Sequence, residues 1–306
     1  MKQIPNSSED PIFVFTDPGI DDALALAMIT RSTTPRLIGA CGVDGNVPSL
    51  LSSSNLAGLL TLFGAKDIPV FRSDVDDPVH EYPTHVHGKN GLGNVRILKP
   101  RFRKGQNLAS FLSSQGRFQI LSLGPLTAVA SLLRTSPQIV SQISRCVIMG
   151  GGFGKGNVTP YAEFNVHSNP EAAGEVFRSN VTKLLVPLDV TEKVRLYGGD
   201  LERLKRSGNS PVSKSIAGML RFYFNFEKKK KGFLGGYMHD PSAFVAMIHP
   251  ELFEFRRAEV TVDTVGKTRG RTIAKFSRSR HASTWIALGV DEPAVRSVIM
   301  EGLIEK

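Results

Sequence analysis

Three aspartates lie within six residues near the start of the chain, in residues 16–22 (TDPGIDD). They follow a short apolar run, residues 12–15, that predicts a buried strand. Carboxylates this close repel one another, and a hard cation held by oxygen ligands, such as Ca²⁺ or Mg²⁺, removes the repulsion. A helix N-terminus, whose dipole favours acids, also explains Asp21 and Asp22, but it explains Asp17 less well. The segment therefore predicts a cation site at the end of the first strand.

Short apolar runs alternate with helical patterns through the first two thirds of the chain. This alternation is typical of an α/β fold with a mostly parallel central sheet and helices on both faces, open and Rossmann-like. Ligands of such sheets bind at the carboxyl ends of the strands, where the acidic segment lies. Asn169 and Pro170 are suited to the N-cap and first turn of one helix. The predicted strands are 12–15, 37–43, 68–71, 119–123, 147–149 and 183–187, and the predicted helices are 23–30, 49–63, 126–134 and 170–179.

The pattern changes after about residue 209. Residues 213–231 have helical periodicity with many aromatics, residues 258–288 are β-rich and basic, and residues 293–304 form a last helical pattern. No repeat, linker or domain break is visible, and 306 residues with 41% hydrophobic content suffice for a large core. We therefore expect one domain over residues 1–306, with a less regular C-terminal part and a flexible tail over residues 1–11.

Two cysteines and the first residues indicate the cellular setting. Cys41 and Cys146 lie in apolar runs, which predicts buried reduced thiols and excludes a cysteine-based zinc site. Residues 1–11 have no basic start and no apolar core, so we expect no signal peptide. The longest apolar run, residues 23–29, is too short for a membrane span. These features predict a cytoplasmic protein with no membrane partner.

The net charge of +10 raises the question of a nucleic-acid or acidic-membrane partner. The charge is widely spread, with clusters at residues 228–231 and 267–280. A run of four lysines at the end of a helix is typical of a solvated terminus that complements the helix dipole. We therefore predict no nucleic-acid partner.

A series of further motifs occurs in a fixed order along the chain. Each is weak alone, but so many in order, with similar gaps, are specific. Together they resemble the inosine-uridine preferring nucleoside hydrolases, a family of Ca²⁺-dependent nucleoside N-ribohydrolases. The motifs are FVFTDPGIDDALAL (13–26), VDGN (43–46), HVHG (85–88) with GLG (91–93), LGPLT (123–127), MGGG (149–152), AEFN (162–165), NPEAA (169–173) and HDP (239–241).

The resemblance implies the reaction and the residues that serve it. The enzyme would hydrolyse the N-glycosidic bond of a ribonucleoside to free base and ribose, as a homodimer or homotetramer. The matching Ca²⁺ ligands would be the carboxylates of Asp17, Asp22 and Asp240 and the backbone carbonyl of Leu123. Asp21 and Asn46 would contact the ribose or support the metal loop. Substrate contacts are implied for the remaining matched positions: His87, Asn157, Glu163, Asn165 and His239.

The implied chemistry is consistent with these residue types. The bond breaks through an oxocarbenium-like sugar, which carboxylates and amides stabilise more than the neutral ground state. A Ca²⁺-bound water would attack with Asp17 as its general base. His239 is the matching candidate for protonating the leaving base, with His87 as a second candidate.

Several of these residues also have ordinary structural explanations. His239 suits a core histidine, and His87 a loop histidine. Asn157 and Asn165 suit turn positions with local backbone bonds. Glu163, in an apolar strand-like context, requires a partner. Residues 150–152 (GGG) lack the other residues of a phosphate-binding loop, so we expect a ligand to approach the backbone there.

The chain also departs from the family at several positions. Phe15 stands where the family carries another aspartate, and Lys275 where it tends to carry an acid. The tyrosine that closes over the base in the family has two candidates, Tyr223 and Tyr237, and neither is assigned. These departures bear on substrate choice and oligomeric state more than on the reaction.

Two other classes of protein compete with a hydrolase. A nucleoside- or nucleotide-binding protein that has lost turnover would keep the fold, but here the matched polar residues are all present, which favours an enzyme. A Mg²⁺ phosphotransferase also begins with an aspartate after its first strand. Pro18 and Gly19 after Asp17 tell against that class.

Overall fold

The computed structural model describes residues 9–75, 81–98, 100, 107–277 and 282–304. Eleven strands occur within these residues: β1 Ile12–Thr16, β2 Leu37–Gly42, β3 Val70–Arg72, β4 Phe118–Ser122, β5 Ile143–Met149, β6 Lys183–Val186, β7 Arg195–Tyr197, β8 Gly235–Tyr237, β9 Phe253–Val262, β10 Thr272–Phe276 and β11 Thr284–Val290. Twelve α-helices connect them in the same described ranges: α1 Ile20–Arg31, α2 Ser49–Leu62, α3 Thr84–His87, α4 Leu108–Ser113, α5 Thr127–Thr135, α6 Phe164–Ser168, α7 Pro170–Arg178, α8 Leu188–Thr191, α9 Gly198–Ser207, α10 Pro211–Lys231, α11 His239–Ile248 and α12 Glu292–Leu303.

The central sheet has nine strands in the order β10-β9-β11-β6-β5-β4-β1-β2-β3. Every pair from β11 to β3 is parallel, whereas β9 is antiparallel to β11 and to β10. The predicted α/β fold with a mostly parallel sheet is therefore confirmed. The C-terminal strands continue this sheet, so the expectation of a less regular C-terminal part was wrong.

Strand β1 lies at the topological switch point of the sheet. It pairs with β2 on one side and with β4 on the other, so the chain moves outward in opposite directions from this centre. A crevice forms at the carboxyl edge of such a switch point, where the strand connections diverge. The acidic segment after β1 therefore opens into the natural ligand crevice of the fold.

The two faces of the sheet bury separate cores. In β1, Ile12 and Val14 face the core under α1, α2, α10, α11 and α12, while Phe13 and Phe15 face the core under α5 and α7. Phe15 is fully buried, with its ring centroid 5.2 Å from that of Phe13. The position where the family carries an aspartate therefore fills the core. Lys275, the other departure, is exposed on β10.

The predictions for the two cysteines and for the start of α7 are confirmed. Cys41 and Cys146 are buried and free. Asn169 caps α7, because its Oδ1 accepts from the N–H of Ala172 at 3.1 Å, and Pro170 is the first helical residue. Within the described ranges, no helix is long and apolar enough to cross a bilayer.

The flexible tail predicted over residues 1–11 lies mostly outside the described residues, since the structure describes the chain from residue 9. The backbone carbonyls of Asp10 and Pro11 accept hydrogen bonds from Gln119 of β4. The single-domain organisation stays a prediction.

Candidate active site

Four aspartates converge at the carboxyl edge of β1. Asp17 follows the strand directly, Asp21 and Asp22 lie in the first turn of α1, and Asp240 lies in the first turn of α11. All four are buried. Carboxylate oxygens of Asp21, Asp22 and Asp240 lie within 4.8 Å of one another, the one such cluster among the described residues. The cluster therefore joins two of the predicted metal ligands with Asp21, for which the resemblance implied a ribose contact or support of the metal loop.

Asp22 is held in place by three donors. Its Oδ1 accepts from the Thr16 hydroxyl at 2.5 Å, and its Oδ2 accepts from the Gly19 backbone N–H at 2.9 Å and from the Asn46 side chain at 3.2 Å. The Asn46 backbone N–H also donates to Asp17 Oδ2 at 2.7 Å. Asn46, predicted to contact the ribose or to support the metal loop, thus orients two of the acids and also faces the pocket.

The other carboxylate oxygen of Asp17, Oδ1, is buried and accepts no hydrogen bond from any described residue. Backbone presses closely on this carboxylate: a Cβ added to Gly124 would lie 2.5 Å from Oδ1, and one added to Gly45 would overlap Oδ2. A buried polar atom without a partner costs about 1–3 kcal/mol, and more when it is charged. An oxygen in this state is suited to coordinate a cation.

Three of the acids, Asp17, Asp21 and Asp240, have a raised proton affinity. Burial is the main cause that raises the pKa of Asp21 to about 7 and the pKa values of Asp17 and Asp240 well above the ordinary range. Repulsion among the carboxylates adds to each shift. A divalent cation would favour the ionised forms and offset both effects. The residues present therefore fit a metal ion.

A cavity of about 390 Å³ adjoins the acids, within the usual size range of small-molecule sites. Asp17 and Asp22 are not among the described residues that line it. The cavity brings together nine of the eleven predicted site residues, from seven separate segments of the chain. Its lining includes Asp21, Asn46, His87, Leu123, Asn157, Glu163, Asn165, His239 and Asp240.

Glu163 finds its required partners at a helix N-terminus, so the expectation of a strand-like context was wrong. It caps α6, accepting from the backbone N–H groups of Gly151 at 2.8 Å, Asn165 at 2.8 Å and Val166 at 3.1 Å. Burial nevertheless raises its pKa to about 7. The Asn165 amide donates to the Leu123 carbonyl at 2.7 Å, which orients the carbonyl predicted to bind the cation.

The backbone N–H groups of the glycine loop after β5 donate hydrogen bonds within the protein. The N–H of Gly151 donates to Glu163, and the N–H of Gly152 donates to the Thr272 hydroxyl at 3.0 Å. Because side chains occupy these donors, the loop is not a phosphate cradle, whereas the expected approach of a ligand to this backbone stays a prediction. Asn157 behaves as a turn residue at the exposed rim, accepting from the N–H of Phe164 at 2.9 Å.

The two predicted histidines are oriented by hydrogen bonds to Nδ1. His87 Nδ1 accepts from the N–H of Ile20 at 3.0 Å, so the proton of its neutral ring lies on Nε2. His239 Nδ1 lies 2.7 Å from the Thr191 hydroxyl, and its ring stacks on Tyr237. Burial lowers the pKa of His87 to about 4 and, with Lys231 nearby, that of His239 to about 3. Both rings are therefore neutral at pH 7.

Thr191 was not singled out from the sequence. It is fully buried in α8, directly after β6, and so lies at the carboxyl edge of the sheet. Asp17 was predicted as a site residue because it is polar and follows a parallel strand. Thr191 follows β6 in a similar way, so the same criterion could have found it.

Helix α10 forms one wall of the cavity. It ends at Lys231, with Gly232 in the left-handed conformation at φ +77°, as the lysine run predicted. All four lysines of the run are exposed, as expected of a solvated helix end, and Lys230 and Lys231 also line the cavity. The side chains of Tyr223, Glu227 and Tyr237 also line it, and the Tyr223 hydroxyl accepts from the Tyr237 N–H at 3.3 Å. Which of the two tyrosines closes over the base stays unassigned.

The fold and site together define a Rossmann-like enzyme with a buried cluster of carboxylates, suited to a cation, beside a small-molecule pocket. Residues 12–297 match the sequence profile of the inosine-uridine preferring nucleoside hydrolases. The chain belongs to this family, and the resemblance noted in the motifs is confirmed.

The relatives that resemble this chain are named for different base specificities. The chain is 37% identical over 276 residues to the pyrimidine-specific ribonucleoside hydrolase RihA of Salmonella paratyphi C, covering 87% of this chain and 88% of the relative. Among solved structures, a plant nucleoside hydrolase, PpNRh1, superposes with a TM-score of 0.88 at 28% identity, over 97% of this chain and 100% of that one. A purine-preferring ribonucleoside hydrolase from Gardnerella vaginalis gives a TM-score of 0.88 at 29% identity, over 96% and 98%.

Proposed function

We propose that this protein is a Ca²⁺-dependent nucleoside N-ribohydrolase that cleaves ribonucleosides to free base and ribose. The observation that carries the proposal is the buried, unpartnered Oδ1 of Asp17 close to the cluster of Asp21, Asp22 and Asp240, which adjoins a small-molecule cavity. Family membership supports the reaction, and the acid cluster supports the cation.

The cation would be held by oxygen atoms alone, which favours Ca²⁺ over zinc. Its protein ligands would be the carboxylates of Asp17, Asp22 and Asp240 and the carbonyl of Leu123, with Asp21 close by. When bound, Ca²⁺ would lower the pKa of a water molecule and attract the ribose hydroxyls.

The protein's own groups would then carry the reaction. Asp17 accepts a proton from the attacking water, whose oxygen bonds to C1′ of the ribose as the bond from C1′ to the base breaks. The acids around the sugar, Asp21 and Glu163 among them, stabilise the positive charge that grows on the ring. The electron pair of the broken bond leaves with the base, which needs a proton or a hydrogen bond. His239 and His87 are the candidate donors, in their neutral forms.

The proposal is tested by ribose release from inosine, uridine, cytidine and adenosine, with Ca²⁺ or with a chelator. We expect turnover that the chelator abolishes and that falls at least about 1,000-fold in Asp17→Ala. This variant lacks both the general base and one ligand of the cation. Asp67→Ala, an exposed site, is the matched control and should retain full activity. Ca²⁺ binding without release from any of the four nucleosides would refute the enzyme and favour a binding protein.

We also propose a homodimer or homotetramer in the cytoplasm, with no nucleic-acid partner. Light scattering on the purified protein measures the assembly, and a monomer at micromolar concentration would contradict it.

A further inference from the structure

The loop of residues 88–95 follows His87 and contains the GLG motif, for which the proposed reaction gives no role. It is neither helix nor strand, and hydrogen bonds to the Asn90 side chain hold its shape. The Asn90 Oδ1 accepts from the backbone N–H groups of Leu92 and Asn94, both at 2.9 Å, and its Nδ2 donates to a backbone carbonyl of the loop at 2.8 Å. One side chain therefore closes the loop on itself.

The loop contacts both His87 and the acidic segment. The N–H of Gly93 donates to the His87 carbonyl at 2.7 Å. At Gly91, whose φ is +81°, the loop lies so close to the acidic segment that an added Cβ would be 2.7 Å from the Pro18 carbonyl oxygen. The His87 ring contacts the same segment, because its Nδ1 accepts from the N–H of Ile20 at 3.0 Å. The position of the loop therefore sets the position of the ring.

Helix α2 holds this loop through Asn55. The Asn55 side chain is fully buried, and its Nδ2 donates to the backbone carbonyl of Asn90 at 2.8 Å. Its Oδ1 is also buried and accepts no hydrogen bond from any described residue, which lowers the stability of the fold. A leucine has nearly the same shape and would avoid this loss. The stability of the fold alone therefore does not account for an asparagine at this position.

We propose that Asn55 is a positioning residue for the reaction, which holds the Asn90 carbonyl and thereby sets the His87 ring against the start of α1, facing the cavity. This inference rests on the proposed function and adds a residue to it. Asn55 is not among the described residues that line the cavity, so it acts through His87. Displacement of a reacting group by about 1 Å lowers a rate by up to about 100-fold, so one distant hydrogen bond suffices for a measurable effect.

The orientation of His87 matters most in the transition state. Because Nδ1 accepts from Ile20, the neutral ring carries its proton on Nε2, which is then the atom that can donate to the substrate. A hydrogen bond from Nε2 strengthens as the base leaves with the electron pair of the broken bond. We therefore expect the loss of the Asn55 amide to lower kcat more than it raises KM.

The test is a double-mutant cycle on ribose release from inosine and uridine. Asn55→Leu should lower kcat at least about 10-fold and change KM less than about threefold. In His87→Ala, whose kcat is itself lowered, the same substitution should lower kcat less than about twofold further, because the ring that Asn55 positions is gone. Ser53→Ala is the matched control and should keep the wild-type kcat. Ser53 is equally buried in α2, and its hydroxyl donates to the Ser49 carbonyl of the same helix at 2.8 Å.

Asn90→Ala disturbs the same loop without changing the core of α2, so it serves as a second variant where Asn55→Leu folds poorly. Asn90 is only half-buried, and its variant should show the same loss of kcat and the same dependence on His87. Losses that simply multiply in the double variants would overturn the positioning role. A lowered Tm with an unchanged kcat in Asn55→Leu and Asn90→Ala would also overturn it, since both residues would then serve stability alone.

Nitrogen-15 NMR of the histidine rings in the Ca²⁺-loaded protein separates this inference from the reaction. The His87 signal, identified by its absence in His87→Ala, should show one tautomer with the proton on Nε2 in the wild type and in Ser53→Ala. In Asn55→Leu the same signal should show a mixture of tautomers. This change, in a protein that releases no ribose, would refute the hydrolase and support the positioning role. Ribose release with an unchanged His87 signal in Asn55→Leu would do the reverse.

Discussion

Removing the cation should make the free energy of unfolding depend on pH. The pKa shift of Asp21 gives the direction of this dependence. Its pKa is 3.8 ordinarily and about 7 in the folded protein. The folded state therefore binds this proton more tightly than the unfolded state does. The resulting stability is fully present below about pH 4 and is lost as pH rises through 7. A cation in the cluster favours the ionised carboxylates and should prevent this loss.

The size of the stability loss follows from the pKa shift of Asp21. Three pK units correspond to about 4 kcal/mol, at about 1.4 kcal/mol per unit. A 306-residue protein has an unfolding entropy of about 0.6 kcal/mol per K, so the free-energy loss corresponds to about 6 °C in Tm. Because the loss accumulates between about pH 4 and pH 7, the Tm with Ca²⁺ minus the Tm with chelator should be about 2 °C at pH 5 and rise to about 6 °C at pH 8.

Calorimetric scans with Ca²⁺ or chelator, at several pH values between 5 and 8, measure this difference. Asp21→Asn removes the titrating group, so its Tm in chelator at pH 8 should exceed that of the wild type by several degrees. The exposed Asp67→Asn is the matched control and should behave as the wild type. A wild-type Tm in chelator that stays flat from pH 5 to 8, or a less stable Asp21→Asn, would refute the reasoning.

Two further predictions concern groups that position the site. Thr191→Val removes the hydrogen bond that orients His239 and should lower kcat about 5- to 15-fold, whereas Thr191→Ser restores it; steady-state kinetics with no loss in the valine variant would contradict this role. Gly45→Ala should displace Asp17 and weaken Ca²⁺ binding at least about 10-fold by calorimetry, because its methyl group overlaps the carboxylate. Gly199→Ala is the matched control, because a Cβ at Gly199 has no atom within 4 Å. Equal Ca²⁺ affinity in the two alanine variants would contradict the close contact between Gly45 and the Asp17 carboxylate.

Much of the fold is readable from local patterns in the chain. The apolar run before Asp17 is β1, the cap at Asn169 begins α7, and the lysine run ends α10. Each depends on backbone preferences and hydrophobic periodicity over a few residues, which neighbouring side chains specify directly. The ordered motifs added the family and most of the site residues, since they record spacing along the chain.

Other features of the site depend on which elements meet in space. Asp240 joins Asp21 and Asp22 because α1 and α11 begin at the same sheet edge. Thr191 meets His239 across 48 residues, and Lys231 turns into the cavity because the apolar face of α10 sets the rotation of the helix. No local pattern encodes such contacts, because they follow from strand order and from the packing of distant apolar faces. The chain's local chemistry thus names the aspartates, the helices and the family, whereas the order of the sheet brings their side chains into one pocket.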